Sequence, residues 1–285
     1  MQNYSDYWYQ SSDGLRLYAR QYGNESADRT IICIPGLTRN SADFAPLCEH
    51  LADGYRIFAV DLRGRGSSDY DPQPENYHPG SYAADIISLL DDLALPSAII
   101  IGTSLGGLVS MVLAATALER ISAVIMNDIG PEADQTGIDR IKAYVSKPSS
   151  VSNWADAVAK TKLIQGQEYP EFSDQDWINF SKNLYRENSG GQPVLAYDPA
   201  IAQLLIQPSD QPAPDLWPLF TLLSNTPMLL LRGELSDILS PHCVSRMCEL
   251  KPDIQFLEIA NCGHAPLLSE ASALHAIDDF LAKLG

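Results

Sequence analysis

The stretch from Ser97 to Ala115 changes character in its middle, and few chain geometries accommodate that change. It opens with Ala98-Ile99-Ile100-Ile101, a short isoleucine-rich run that reads as a fully buried strand. It continues with Leu108, Met111, Val112, Ala114 and Ala115, which carry helical spacing and good helix propensity. Between the two lies Gly102-Thr103-Ser104-Leu105-Gly106, a G-x-S-x-G. A strand that becomes a helix over one residue brings backbone segments very close together. Glycines two residues before and two after the turn leave room for that approach, and the serine is driven into a strained conformation with its hydroxyl projecting outward. Roughly one chain in ten with this much Gly and Ser holds the bare pattern by accident, so the flanking strand and helix give it its meaning. Ser104 is read as a nucleophile.

At 285 residues the chain suits one large α/β domain, or such a domain with an inserted subdomain. Its net charge of −17 opposes nucleic acid and anionic membrane surfaces as partners, and disfavours a strongly anionic substrate unless local arginines offset the field. No apolar run approaches the ~20 residues of a membrane span. The stretch Met1 to Trp8 lacks the basic and apolar regions of a secretory signal. The five cysteines are odd in number and lack C-x-x-C spacing, which predicts reduced thiols in a cytoplasmic protein.

Alternating runs flank the Asp13-Gly14 turn and predict a hairpin. Strands are expected over 30–34, 56–60, 97–101 and 123–126, with helices over 44–51, 82–95 and after Ser104. Strand and helix in alternation imply a mostly parallel sheet flanked by helices. From Gly130-Pro131 to about Asn225 the buried β-runs stop, and helical segments bearing Tyr144, Trp154, Trp177, Phe180, Tyr185, Tyr197 and Trp217 take over. Residues 1–129 and 226–285 are therefore assigned to an α/β core, and 130–225 to a helical cap over the sheet's carboxyl edge. Gly130-Pro131 and Trp217-Pro218 offer hinge points for it. The alternation resumes with strands over 228–232 and 254–259 and helices over 244–250 and 270–284.

An alkyl hydroxyl needs a base, normally His, with a carboxylate fixing the imidazole tautomer. In an open parallel sheet these partners belong on loops at the carboxyl ends of strands. Two such loops follow the insertion, Arg232 to Asp237 and Ala260 to His264, in the order Ser…Asp…His expected for a nucleophile elbow.

With these residues in place the chain resembles the capped α/β-hydrolases over essentially its whole length. The matching features are Pro35-Gly36, the Asp61-x-Arg63-Gly64-x-Gly66-x-Ser68 loop, the Gly102–Gly106 elbow, Asp237 and Gly263-His264. The resemblance implies that Ser104 attacks, His264 shuttles the proton and Asp237 orients His264. It also implies an oxyanion hole from the backbone N–H groups of Leu37 and Leu105. Asp128, after the 123–126 strand, is the alternative acid, because some hydrolases of this fold take it there; Glu234 is a weaker rival. Among the other histidines, His50 and His275 lie within helical patterns, His242 starts a helix, and His78 sits in a Pro-rich loop where it could at most line an entrance. Arg63 and Arg65 are read as braces for their Gly-rich loop.

Ser104, where dehalogenases and epoxide hydrolases of the fold carry Asp, indicates an acyl-enzyme route that needs no metal and no organic cofactor. The leading expectation is a carboxylic-ester hydrolase acting on small or medium uncharged esters or lactones. The alternatives are a carbon–carbon bond hydrolase of aromatic-ring degradation, for which Arg140 and Arg186 are the available cap arginines, and a non-catalytic receptor for a small ligand. A dinucleotide-binding module fails on its motif, since Gly102-x-x-x-Gly106-Gly107 is not G-x-G-x-x-G.

Overall fold

The computed structural model describes residues 3–146, 150–202 and 214–284. Its strands are β1 (Ser5–Gln10), β2 (Arg16–Gly23), β3 (Thr30–Ile34), β4 (Arg56–Asp61), β5 (Ala98–Thr103), β6 (Ile121–Asn127), β7 (Tyr185–Glu187), β8 (Pro193–Leu195), β9 (Met228–Gly233) and β10 (Gln255–Ile259). Eight of them form one sheet in the order β1-β2-β4-β3-β5-β6-β9-β10. The hairpin strand β2 runs antiparallel to β1 and β4, and every pairing from β4 to β10 is parallel. The α-helices are α1 (Ala45–Leu51), α2 (Pro79–Asp92), α3 (Leu105–Ala117), α4 (Gln135–Val145), α5 (Trp154–Gln165), α6 (Asp174–Leu184), α7 (Trp217–Leu222), α8 (Pro241–Leu250) and α9 (Ala271–Lys283). No described helix is long and apolar enough to cross a membrane.

Strand periodicity divides the core into two layers. On β3, Ile32 and Ile34 join the layer covered by α2, α3, α7 and α8, whereas Ile31 and Cys33 join the layer covered by α1 and α9. Both faces are covered, so β3, β5, β6 and β9 are buried almost throughout, as their unbroken apolar runs require. The edge strand β10 instead alternates between exposed and covered positions.

Helices α4, α5 and α6 and the small β7–β8 hairpin lie between β6 and β9 in the chain. Helix α7, within the stretch assigned to the insertion, packs on α3 and places Trp217 and Phe220 in the core layer. The two expected hinge points are tied to each other. Trp217 Nε1 donates to Glu132 Oε1 at 2.5 Å, and the Arg246 guanidinium both pairs with Glu132 and stacks on the Trp217 ring. His78 has a role that the sequence reading missed. Its Nδ1 caps α2 by accepting from Gly80 N and Ser81 N. All five cysteines are free.

The loop after β4 is built on buried charge. Arg63, 2 % exposed, bonds Asp85 through Nε and Nη2 at 2.8 and 2.5 Å, and Asp71 and Asp13 through Nη1 at 2.7 and 2.8 Å. Arg65 bonds the carbonyls of Leu37 and Arg63 and the Tyr82 hydroxyl. Removing one partner of such a network strands buried charge, at a cost of about 3–5 kcal/mol. Arg63→Leu is therefore expected to lower the free energy of unfolding by about that amount, measured by urea denaturation at pH 7.

Candidate active site

The residue between β5 and α3 is Ser104, at φ 52° and ψ −113°. A Cβ at Gly102 would meet the backbone of Gly106 and Gly107, and one at Gly106 would meet the backbone of Ile34. The two glycines therefore permit the contact that holds the strained serine. Ser104 N donates to Asn127 O at 2.9 Å, which ties the turn to the end of β6.

His264 Nε2 lies 2.7 Å from Ser104 Oγ, and His264 Nδ1 lies 2.7 Å from Asp128 Oδ2. The carboxylate at the histidine is thus Asp128, and the expectation that Asp237 would orient His264 is corrected. Strand β6 lies directly beside β5, so a residue just past its end stands one strand away from the serine. Asp128 is fully buried, and its carboxylate accepts from Gly233 N at 2.8 Å and from Ser236 Oγ at 2.6 Å. The loop expected to supply the acid supplies donors that hold the acid in place. Asp237 instead makes a two-pronged pair with Arg140 of α4, at 2.6 and 2.8 Å. Burial acts to raise the Asp237 carboxyl, and the Arg140 guanidinium more than offsets it, leaving Asp237 below the ordinary carboxylate range. Glu234 accepts from Asn261 N and does not reach the histidine ring.

The His264 loop is held at successive residues. Gly263 N and His264 N donate to the Glu168 carbonyl and to Glu168 Oε2, both at 2.7 Å. Tyr169 Oη donates to Ala265 O, and Asn127 Nδ2 to Pro266 O. None of these partners had a local signal in the chain, because each acts only on a loop distant in sequence.

Leu37 follows β3 on the loop beside the serine, with its carbonyl held by Arg65 Nε at 2.9 Å. Leu105 opens α3, so its N–H is one of the helix's unsatisfied donors. Among the described residues neither the Leu37 nor the Leu105 N–H has a protein acceptor. The Leu37 loop, Ser104 and His264 border a cavity of about 540 Å3. Its far walls carry Ile141, Tyr144, Leu163, Ile164, Tyr185 and Tyr197. The arrangement presents, at the edge of an apolar chamber, a hydroxyl hydrogen-bonded to an imidazole, which is itself hydrogen-bonded to a buried carboxylate; Leu37 N–H and Leu105 N–H have no protein acceptor among the described residues. The remaining histidines stand apart: His50 pairs with Asp278 and His275 with Asp279, while His242 lies at the start of α8. Arg186 reaches Gly66 O and the Tyr70 hydroxyl.

A family model described as the alpha/beta hydrolase fold matches residues 29–271. The chain belongs to this family. It is 31% identical over 248 residues to the 2-(acetamidomethylene)succinate hydrolase of Mesorhizobium japonicum, covering 86% of this chain and 85% of that one. It is 25% identical over 276 residues to the 3-hydroxybutyrate-oligomer hydrolase of Cupriavidus necator, covering 93% and 92%. The crystal structure of an alpha/beta hydrolase from Novosphingobium aromaticivorans superposes with a TM-score of 0.92 at 38% identity, covering 99% of each chain. The protein is a hydrolase with the mostly parallel eight-stranded sheet of its α/β-hydrolase relatives.

The Arg140–Asp237 pair has a definite pH signature. A carboxylate held below its ordinary value stabilises the fold above that value and loses the contribution as pH falls through the depressed one. Arg140→Leu should therefore be less stable than wild type at pH 7, with the gap narrowing below about pH 4, as read from urea midpoints across the pH range.

Proposed function

We propose that the protein is a serine hydrolase that cleaves carboxylic esters through an acyl-enzyme. The observation that carries this reading is the unbroken contact Ser104–His264–Asp128, 2.7 Å at each step, with Ser104 and His264 bordering the apolar cavity. Ser104 Oγ attacks the ester carbonyl carbon as its proton passes to His264 Nε2. The carbonyl oxygen becomes an oxyanion within reach of the Leu37 and Leu105 N–H groups. The carbon–oxygen bond to the alcohol then breaks, and the alcohol leaves with the proton from His264. Water, deprotonated by the same imidazole, attacks the acyl carbon, releasing the acid and restoring Ser104. Asp128 keeps the imidazole in the required tautomer and balances its charge when it is protonated.

The cavity's charges are largely answered by the protein itself. Arg39 is paired with Asp43 and Arg140 with Asp237, so the chamber favours small or medium esters with an uncharged body, including lactones. The Cupriavidus relative, named for an oligomer of a hydroxy acid, is in keeping with ester chemistry.

One observation favours a second reading, a substrate that bears a carboxylate and is cut at a carbon–carbon bond. Arg39 and Arg140 commit Nε and Nη2 to their acidic partners, and among the described residues Nη1 of each has none. Both side chains border the cavity, and the Mesorhizobium relative is named for a succinate.

Assays with p-nitrophenyl esters of increasing acyl length test the first reading. Ser104→Ala should lose on the order of 10⁶ in turnover, and Asp128→Asn about 10⁴. Asp237→Asn should stay within about an order of magnitude of wild type. Equal losses at Asp128 and Asp237 would count against Asp128 as the acid. A wild type inert to neutral esters and active on carboxylate-bearing ring-cleavage products would move the reading to the second substrate class. A wild type that binds such compounds without turning them over would be a receptor.

A further inference from the structure

The link between α5 and α6 borders the cavity at Tyr169 and meets the loop that carries His264. Two consecutive residues of the link, Glu168 and Tyr169, bond three consecutive residues of that loop, Gly263, His264 and Ala265. Glu168 contributes twice, through its backbone carbonyl and through its side chain, and it is only 6 % exposed. Arg140 Nε stands 3.4 Å from the other carboxylate oxygen, so the α4 guanidinium joins Glu168 to Asp237. Burial pushes the Glu168 carboxyl up, against the pull of the His264 N–H and of Arg140.

We propose that Glu168 is a positioning residue for His264, so that the insertion builds part of the catalytic machinery as well as covering it. The role rests on the reading of Ser104, His264 and Asp128 as a proton relay. An imidazole that must meet Ser104 Oγ and Asp128 Oδ2 together, each at 2.7 Å, has only two side-chain torsions with which to correct a displaced backbone. The Glu168 carboxylate sets the His264 backbone N–H, and its carbonyl sets the amide before it. Without the side-chain acceptor that part-buried N–H loses its protein partner, and the loop gains a reason to move. A displacement of about 1 Å is enough to cost about 10²-fold in rate.

The test compares Glu168→Leu with Glu168→Gln. Glutamine keeps an oxygen for the His264 N–H and loses the charge opposite Arg140, whereas leucine keeps the bulk and loses both. With p-nitrophenyl esters, Glu168→Leu should lose about 10²-fold in kcat with KM within about twofold. Glu168→Gln should recover most of that loss. A residue that merely filled space would give the two variants equal kcat at matched thermal stability, and that result would overturn the proposal.

Proton NMR supplies a readout independent of turnover. The His264 Nδ1–H bonded to Asp128 should give a downfield resonance that Asp128→Asn removes, Glu168→Leu weakens or shifts, and Glu168→Gln keeps. Glu168→Leu with wild-type kcat and an unchanged resonance refutes the role of Glu168 alone. A wild type with neither the resonance nor Ser104-dependent turnover refutes the relay, and the role of Glu168 with it. If Glu168→Leu does not fold, Gly263→Ala presses on the same contact, because its Cβ would meet the Glu168 carboxyl group. It should show the same loss in kcat, and full activity there would overturn the proposal.

Discussion

Ser104 sits at φ 52° and ψ −113°, a backbone state that is uphill for any residue with a side chain, and it persists only because its surroundings over-determine it. On one side β5 is hydrogen-bonded to β3 and on the other to β6, so the strand end cannot relax sideways. On the far side of the turn, α3 packs against α2 and α7. Gly102 and Gly106 let these elements close to a distance that any side chain would forbid. The position of β5 also determines what surrounds the serine. The loop after β3 brings Leu37, the end of β6 brings Asp128, and the loops after β9 and β10 bring the support for Asp128 and the imidazole itself.

Several buried charges are held by dense pairing, despite a net charge of −17. Asp128 has no solvent to lean on, and it is held by an amide, a hydroxyl and the imidazole. Such a well-satisfied group is rigid, so it presents a fixed acceptor to His264 Nδ1. Asp237 is partly exposed and bound through both oxygens to Arg140, so its charge serves the junction between α4 and the β9 loop. The same logic joins Arg63 to three aspartates and lets Arg65 fix the carbonyl of Leu37, so the loop after β4 shapes the loop that carries Leu37.

Local pattern made much of the fold readable in advance. Apolar runs marked β3, β5, β6 and β9, helical spacing marked α2, α3 and α9, and the strand–turn–helix context marked Ser104. The choice between two acids could not be read this way, because Asp128 and Asp237 both follow a parallel strand. It is decided by partners far off in the chain. Ser236 lies 108 residues from Asp128 and Arg140 lies 97 from Asp237. Glu168 was silent for the same reason, standing 96 residues from the histidine it contacts. The capping role of His78 depends on the geometry of the turn before Pro79, which its Pro-rich surroundings do not reveal.

The contacts of the insertion are unevenly placed along it. Its lower part is anchored. Tyr169, Trp177 and Phe180 belong to the same core layer as α1 and α9, Phe172 packs against them, and Glu168 and Tyr169 are bonded to the His264 loop. At the chain junctions, Glu132 and Trp217 hold each other, so rotation about the two expected hinge points would break a contact that also involves Arg246. The end of α5 is different. Leu163 borders the cavity and yet is 85% exposed, and Ile164 beside it is 38% exposed. These apolar side chains border the chamber and also meet water, which sets the end of α5 apart from the anchored part.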